Sequence, residues 1–135
     1  MADDPTEVVR ELYEAVELGD HRRVEACLSP DLRWRQAAAA VPAAGQEVVG
    51  ARALIERVLR PFEERWDGFT EELEELHACG DRVVAVGTYG GVFLPTGRRL
   101  QAEFCHVWTV AEGRITRFRQ FTDTAAFAEV TTGAG

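Results

Sequence analysis

The first part of the chain alternates apolar and polar residues with the period of an α-helix. Asp4 and Pro5 suit the start of a helix, as an N-cap and a first-turn residue, and Gly19 suits its end. We therefore predict one helix from Asp4 to Gly19, and a second, shorter helix that opens at Asp20 and that Pro30 ends. The apolar face of the first helix comprises Val8, Val9, Leu12, Tyr13 and Val16.

The middle of the chain holds a strand, a loop and a long helix. Residues 31–36 could form a first strand, whereas residues 37–50 are rich in Ala, Gly and Pro and carry no period. We expect residues 37–50 to form a mobile loop that is long enough to gate a site. Residues 51–66 have the pattern of an amphipathic helix, the longest of the chain, which Pro61 should kink or shorten. Its apolar side includes Leu54, Ile55, Val58, Leu59 and Phe62.

The second half of the chain has the period of two that is typical of β-strands. One segment, residues 69–78, also fits a helix, because Phe69, Leu73 and Leu76 suit either period. After the last strand, Asp123 is expected to cap a short helix over residues 124–129. The predicted strands are residues 69–78, 82–93, 99–110 and 114–122, with turns at Gly80-Asp81, Pro95-Thr96-Gly97 and Glu112-Gly113.

Helices followed by a run of antiparallel strands predict an α+β fold, with the helices on one side of a curved sheet. Three small residues, Ala85, Gly87 and Gly91, recur along segment 82–93. They either leave empty volume beneath the helices or relieve crowding where the sheet bends. The pattern leaves both interpretations open.

The composition is that of an ordinary globular protein with excess negative charge. Of the 135 residues, 46% are hydrophobic, and 15 basic against 23 acidic side chains give a net charge of −8. This charge disfavours nucleic acid and anionic membrane surfaces as partners. No apolar run approaches the roughly 18 residues of a membrane span, and the acidic N-terminus differs from a signal peptide. We expect a cytoplasmic protein.

The residue types that bind metals or nucleotides form no known motif here. Cys27, Cys79 and Cys105 make an odd count without a C-x-x-C pair, and the three histidines lack an H-x-x-x-H pattern. The chain also lacks a G-x-G-x-x-G loop and a P-loop. We therefore expect reduced cysteines, no metal site and no cofactor.

Several short motifs follow one another along the chain. They are Leu12-Tyr13-Glu14-Ala15 with Gly19-Asp20, Leu28-Ser29-Pro30-Asp31-Leu32, Val49-Gly50, Gly80-Asp81-Arg82-Val83, His106-Val107-Trp108-Thr109-Val110, Glu112-Gly113-Arg114-Ile115 and Phe121-Thr122-Asp123. Their order and spacing resemble the nuclear transport factor 2-like superfamily, specifically its SnoaL-like branch. The resemblance covers about residues 5–130 and implies one domain, residues 1–135. It implies a cone, in which a bent antiparallel sheet wraps around N-terminal and central helices and encloses a deep apolar pocket.

The resemblance also implies partners. It favours a small apolar molecule in the pocket, and a homodimer formed through the outer face of the sheet. The residues expected on that outer face are Glu103, Cys105, Val107 and Thr109.

Three enzyme branches of the superfamily map onto this chain with changes in their acid–base residues. The resemblance places the general base of ketosteroid isomerases at Gln36 and their protonated acid at His106, while their oxyanion tyrosine falls next to Tyr13. The two carboxylates of limonene epoxide hydrolases fall at Tyr89 and Gln120, and the aspartate of polyketide cyclases also falls at Gln120. The familiar carboxylates of these branches are therefore absent at the matching positions.

The remaining pocket candidates lie on strand faces that the resemblance turns inward, with Phe104, His106 and Trp108 alternating on one face. We predict catalytic roles for His106, which titrates near neutrality, and for Tyr89, which can donate to a carbonyl oxygen. We expect burial to keep His106 neutral, within hydrogen-bond reach of Gln120 or Tyr89. The predicted ligand-binding residues are Trp34, Gln36, Phe62, Phe104, Trp108, Phe118 and Gln120.

Structural roles are the alternative for the same residues. His106 would then be a core histidine, Tyr89 a strand tyrosine with a wet hydroxyl, and the aromatic side chains ordinary core. We interpret Asp123 as a helix cap. The acidic run Glu71, Glu72, Glu74 and Glu75 is interpreted as a solvated face.

Three functions fit this sequence. The first is an isomerase, cyclase or hydrolase that acts on a polyketide-, terpenoid- or steroid-like compound, with His106 as the acid and base. The second is a non-catalytic module of the same fold that binds a small ligand. The third is a structural dimer whose pocket has filled in.

Overall fold

A curled six-stranded sheet packs against the helices on one of its faces. The computed structural model describes residues 4–37 and 47–132. The helices are α1 (Pro5–Leu18), α2 (His21–Cys27), α3 (Ala51–Leu54), a π-helical turn (Ile55–Leu59), α4 (Arg60–Arg65) and α5 (Thr124–Thr132). The strands are β1 (Leu28–Arg35), β2 (Glu47–Val49), β3 (Trp66–Cys79), β4 (Arg82–Phe93), β5 (Arg98–Ala111) and β6 (Arg114–Thr122), in the spatial order β2-β1-β6-β5-β4-β3. The α+β fold class predicted from the sequence is confirmed.

The sheet is antiparallel except at one pair, β1 and β6, which run parallel and make it a mixed sheet. The first strand begins earlier than predicted, because α2 ends at Cys27 and β1 starts at Leu28. Pro30 therefore lies inside β1 and does not end the helix. It falls where the β1–β6 register shifts, between Leu28 and Arg33, and a residue without an N–H group is tolerated there because a ladder bond is already missing.

Part of the predicted loop over residues 37–50 is a strand. Residues Glu47–Val49 pair with β1, with Val48 opposite Trp34. Val48 is buried, which explains why a short strand forms here without a visible alternation in the sequence. The gating role predicted for the loop rests mainly on residues 38–46, which lie outside the described residues.

Pro61 shapes the helical run from residue 51 to residue 65. The turn just before it is π-helical, and the N–H group of Arg60 donates to the carbonyl of Ile55, five residues back. Proline has no N–H group, and its ring crowds the carbonyl four residues earlier, here Arg57. Widening the preceding turn removes that clash, so the predicted kink takes the form of a π-helical turn. The run ends at Arg65, and Trp66 begins β3.

The segment that fitted both a helix and a strand is a strand. β3 pairs with β4 along its length, with register shifts between Asp67 and Thr70 and between Leu73 and Glu75. These irregularities disturb the alternation of β3, which is why its sequence pattern was ambiguous. The predicted strands 82–93 and 114–122 form with those bounds, and 99–110 forms with one extra residue at each end.

The small residues of β4 relieve crowding. Gly87 lies opposite Phe104 in the β4–β5 register, and a Cβ atom at Gly87 would overlap the carbonyl oxygen of Glu72 and lie 2.6 Å from Cζ of Phe104. The ring of Phe104 thus occupies the space above Gly87. The same pairing of a small residue with a large one recurs at Ala85, which faces His106. At Gly87, therefore, the structure favours the relief of crowding over empty volume.

The inner face of the sheet carries the core and positions the site. Alternate residues of β4, β5 and β6 are buried, and α1 packs against β3, β4, β5 and β6 on that face. The C-cap Gly19, with φ of 67°, lets the chain turn from α1 into α2. No helix of the described ranges is long and apolar enough to cross a membrane.

Candidate functional site

A cavity of about 380 Å³ lies between α1, the helical run 51–65 and the inner face of the sheet. This volume falls within the range of pockets that hold small molecules. Eight of the nine sequence-predicted site residues line it. They are Trp34, Gln36, Phe62, Tyr89, His106, Trp108, Phe118 and Gln120.

Phe104 is the predicted site residue that does not line the cavity. Its ring lies behind the wall and stacks on two rings that do line it, with centroid distances of 4.4 Å to Tyr89 and 4.2 Å to His106. Because Gly87 leaves room for this ring, Phe104 holds both neighbours in place from behind. Its position is that of a supporting core residue.

His106 is the centre of a buried hydrogen-bond chain. Its Nδ1 atom lies 2.5 Å from the hydroxyl oxygen of Tyr13, and its Nε2 atom contacts the hydroxyl of Tyr89. The indole Nε1 of Trp108 donates to Tyr13 at 3.1 Å, and the amide Nε2 of Gln120 donates to Tyr89 at 2.8 Å. The predicted contact with Tyr89 is therefore present, whereas Gln120 reaches His106 only through that tyrosine.

The strand register brings this chain together. His106 lies opposite Gln120 in the β5–β6 pair, and Trp108 shares the face of His106 two residues further along β5. Tyr13 belongs to α1 and lies on the helix face that packs against the sheet. Tyr13 was predicted as an apolar helix position, and its polar role was missed because its partner is 93 residues away in sequence.

Burial keeps the titratable groups of this hydrogen-bond chain uncharged. Loss of hydration lowers the pKa of His106 from 6.5 to about 3, because the charged imidazolium is disfavoured in the interior. The same effect raises the pKa of Tyr13 and of Tyr89 well above its usual value, with a further contribution from the Glu71 carboxylate. His106 is therefore a neutral imidazole at physiological pH, as expected from the sequence.

Glu71 is a cavity residue with a shifted pKa that the sequence interpretation missed. It lies opposite Tyr89 in the β3–β4 register, so both side chains are on the inner face, and Glu71 lines the cavity. Burial, and to a smaller extent the Glu17 carboxylate, raise the pKa of Glu71 from 4.5 to about 7. The solvated-face interpretation is thus wrong for Glu71, although Glu72, Glu74 and Glu75 are exposed. Glu71 lies two residues before Leu73, and residues two apart share a strand face, so this spacing could have placed Glu71 on the face of Leu73.

Four other residues singled out from the sequence carry polar side-chain atoms whose surroundings are defined. The Oε1 atom of Gln120 accepts a hydrogen bond from the N–H group of Ala37 at 3.0 Å, which fixes the orientation of its amide. The Nε1 atom of Trp34 and the Oε1 atom of Gln36 are buried without a partner among the described residues. Asp123 accepts a bond from the N–H group of Ala126 at 3.0 Å, as a helix cap does.

The charged groups of the cavity wall are all acidic. Glu17, Glu63 and Glu71 line it, and no arginine does so within the described ranges. His21 lies 3.0 Å from both carboxylate oxygens of Glu63 and ties α2 to α4. In residues 4–37 and 47–132, no three His, Cys, Asp or Glu side chains are placed to share a metal ion.

Comparisons with known proteins identify the family and the fold of the chain. The sequence profile of the SnoaL-like domain matches residues 9–118. An NTF2-like protein from Burkholderia thailandensis E264 is 35% identical, with 96% of this chain and 98% of that chain covered and a TM-score of 0.87. TerC, co-crystallised with polyporic acid, is 25% identical over 96% and 98% of the two chains, with a TM-score of 0.83. IdmH from Streptomyces antibioticus, a candidate polyketide cyclase, shares the fold at 19% identity, 97% and 100% coverage and a TM-score of 0.81. No curated protein matches the chain.

Proposed function

Because the chain belongs to the SnoaL-like domain family, we propose that it is an enzyme that moves a proton beside the carbonyl group of an apolar small molecule. The observation that carries this proposal is the position of Glu71. A carboxyl group with a pKa of about 7 lines an apolar cavity next to a chain of neutral hydrogen-bonding groups. A general base works best when its pKa is close to the operating pH.

Glu71 suits the role of the base better than His106, to which the sequence hypothesis gave it. Both ring nitrogens of His106 already contact tyrosine hydroxyls, and its pKa of about 3 makes it a weak base. The pKa of Glu71 is raised by burial and by Glu17, so its carboxylate is a stronger base than one in water. We assign the proton acceptor to Glu71, and a positioning role to His106.

The tyrosine hydroxyls supply the other half of the chemistry. Tyr13 and Tyr89 line the cavity, and a carbonyl oxygen placed against one of them can accept a hydrogen bond. When Glu71 removes a proton from the adjacent carbon, the C–H electron pair forms a carbon–carbon double bond. The carbonyl π electrons then move to oxygen, and the hydroxyl stabilises the resulting enolate. Returning the proton to another carbon gives an isomer, and attack by the enolate carbon on a second carbonyl closes a ring.

The walls favour an apolar ligand without negative charge. The indoles of Trp34 and Trp108 and the rings of Phe62 and Phe118 provide flat apolar surface. An anionic ligand would meet the acidic groups of the wall without a compensating arginine among the described residues. The family neighbours IdmH, a candidate polyketide cyclase, and TerC, co-crystallised with polyporic acid, support a small-molecule role.

Exchange of ketone protons with solvent tests the proposal directly. The probe is 2-acetylnaphthalene in D₂O, with deuterium uptake at its methyl carbon followed by mass spectrometry and binding followed by tryptophan fluorescence. Glu71→Gln should bind the ketone and lose about 10²–10⁴-fold in exchange rate, as expected when a general base is removed. Glu72→Gln, which changes an exposed neighbour, is the matched control and should exchange at the wild-type rate. Equal rates in Glu71→Gln and wild type would contradict the assignment, and a bound ketone without catalysed exchange would favour the binding-module function.

A further inference from the structure

We propose that Tyr13, His106 and Tyr89 form a two-position hydrogen-bond donor, in which the tautomer of His106 selects the tyrosine that offers its hydroxyl hydrogen to the cavity. This inference deepens the proposed function, on which its ligand part rests, because it names the group bound there as a neutral acceptor such as a ketone oxygen. It follows from a count of hydrogen atoms in the buried chain.

The buried hydrogen-bond chain contains more donor hydrogens than hydrogen bonds between its members. It has four bonds: Trp108 to Tyr13, Tyr13 to His106, His106 to Tyr89, and Gln120 to Tyr89. Five hydrogens are available for them, counting only the one hydrogen of the Gln120 NH₂ group that bonds to Tyr89. An indole N–H can only donate, and the Gln120 amide is oriented by Ala37 so that its NH₂ group faces Tyr89. A neutral imidazole adds one hydrogen and the two hydroxyls add one each, so one hydrogen remains unused.

The unused hydrogen always belongs to a tyrosine, because the other donors are committed. If Nδ1 of His106 carries the hydrogen, Tyr13 accepts from His106 and Trp108, Tyr89 donates to Nε2, and the hydroxyl hydrogen of Tyr13 is free. If Nε2 carries it, Tyr89 accepts from His106 and Gln120, Tyr13 donates to Nδ1, and the hydroxyl hydrogen of Tyr89 is free. Both tyrosines line the cavity, so either state presents one donor to a ligand.

Removing one hydroxyl should fix the tautomer. In Tyr13→Phe, Nδ1 loses its partner, and an unpartnered buried lone pair is tolerated better than an unpartnered buried N–H group. His106 should therefore hold its hydrogen on Nε2, and Tyr89 becomes the free donor. In Tyr89→Phe the argument reverses, so the hydrogen moves to Nδ1 and Tyr13 becomes the free donor. The two variants are thus predicted to contain opposite tautomers of the same histidine.

Nitrogen-15 NMR of the histidine rings measures this without any ligand. Long-range ¹H–¹⁵N spectra distinguish the two tautomers and the imidazolium, and substitution of His21 and His77 by Asn identifies the signals of His106. Opposite tautomers in the two variants support the proposal, and the same tautomer in both overturns it. The wild-type spectrum tests the count even if a variant fails to fold. An imidazolium signal from His106 at pH 6 would add a sixth hydrogen and would also overturn the proposal.

A ketone probe then tests the donor itself. With ¹³C-carbonyl 2-acetylnaphthalene, the infrared carbonyl stretch should stay at the hydrogen-bonded position in wild type and in each single variant. Only the double variant Tyr13→Phe/Tyr89→Phe, which removes both hydroxyl donors, should change the position of the stretch, with about a tenfold loss of affinity, the scale of one hydrogen bond. A stretch in the double variant that is unchanged from the wild type, or a complete loss of the hydrogen-bonded stretch in one single variant, would contradict the two-position donor. The NMR result does not depend on Glu71, so it can fail or hold independently of the exchange experiment.

Discussion

Replacing Glu71 with glutamine should stabilise the protein at alkaline pH, although Glu71 is the residue proposed to carry the chemistry. Its pKa is raised from 4.5 to about 7 by burial and by Glu17, so the folded state disfavours the ionised carboxylate. The unfolded chain releases this proton at lower pH than the folded chain. By linkage, the stability of the wild type falls as the pH rises from 4.5 through about 7.

The size of the effect follows from the size of the shift. One pKa unit corresponds to about 1.4 kcal/mol, which gives roughly 3 kcal/mol above pH 7. Because Glu71 is only part-buried, solvent screening reduces this penalty, and we expect roughly 2–3 kcal/mol. For a chain of this length, that free energy corresponds to a rise in Tm of roughly 6–12 °C.

Calorimetric unfolding at pH 8.5 and pH 4.5 checks the prediction. Glu71→Gln should exceed the Tm of the wild type by the full amount at pH 8.5, and by only a small part of it at pH 4.5. Glu72→Gln, an exposed neighbour on the same strand, should match the wild type at both pH values. An equal gain for Glu71→Gln at both pH values would mean that packing and not charge is responsible, and no gain at pH 8.5 would refute the buried-carboxylate reasoning.

Three further predictions concern the sheet. The pKa of His106 is lowered in the folded state, so the unfolded chain takes up a proton first as the pH falls below 6.5. About 2 kcal/mol of the free energy of unfolding should therefore be lost between pH 6.5 and 5. In urea titrations, His106→Gln should not show this loss. Gly87→Ala should lower the free energy of unfolding by roughly 1–3 kcal/mol in the same titrations, because its Cβ atom has no room beside Phe104. We also propose the homodimer through the outer sheet face, where Val107 is part-exposed; Val107→Arg should convert a dimer to monomer in sedimentation experiments, and a wild-type monomer at tens of micromolar would contradict it.

The sequence was sufficient for the elements whose residues bury one face with a regular period. The alternation in β4, β5 and β6 predicted three strands and placed His106 and Trp108 on one face, and the family resemblance turned that face inward. The capping residues Asp4 and Gly19 fixed the ends of α1. Short β2 and the parallel partner of β1 could not be predicted, because their formation depends on contacts between distant parts of the chain.

The site was harder to predict than the fold, for two physical reasons. Glu71 sits in an acidic run whose other members are solvated, and only the strand register reveals that it shares a face with Tyr89. Tyr13 bonds to His106, which is distant in sequence, so the sequence alone placed Tyr13 on an apolar helix face and gave its hydroxyl no partner. A search for missing carboxylates at positions matched by resemblance therefore overlooked a carboxylate supplied by a different strand.

The pairing of the first long strand with the last one affects how the protein is made. During synthesis, β1 and β2 leave the ribosome early, but β1 gains its second neighbour only when β6 has emerged. A two-stranded ribbon alone is marginally stable in water, so β1 and β2 become stably ordered only after most of the chain has been synthesised. The stack of Trp34 on Phe118, with ring centroids 3.9 Å apart, joins the two ends and belongs to the wall of the cavity. Nascent chains released before β6 would consequently carry Glu71 on β3 and Tyr89 on β4, yet have no enclosed chamber in which to retain a small molecule.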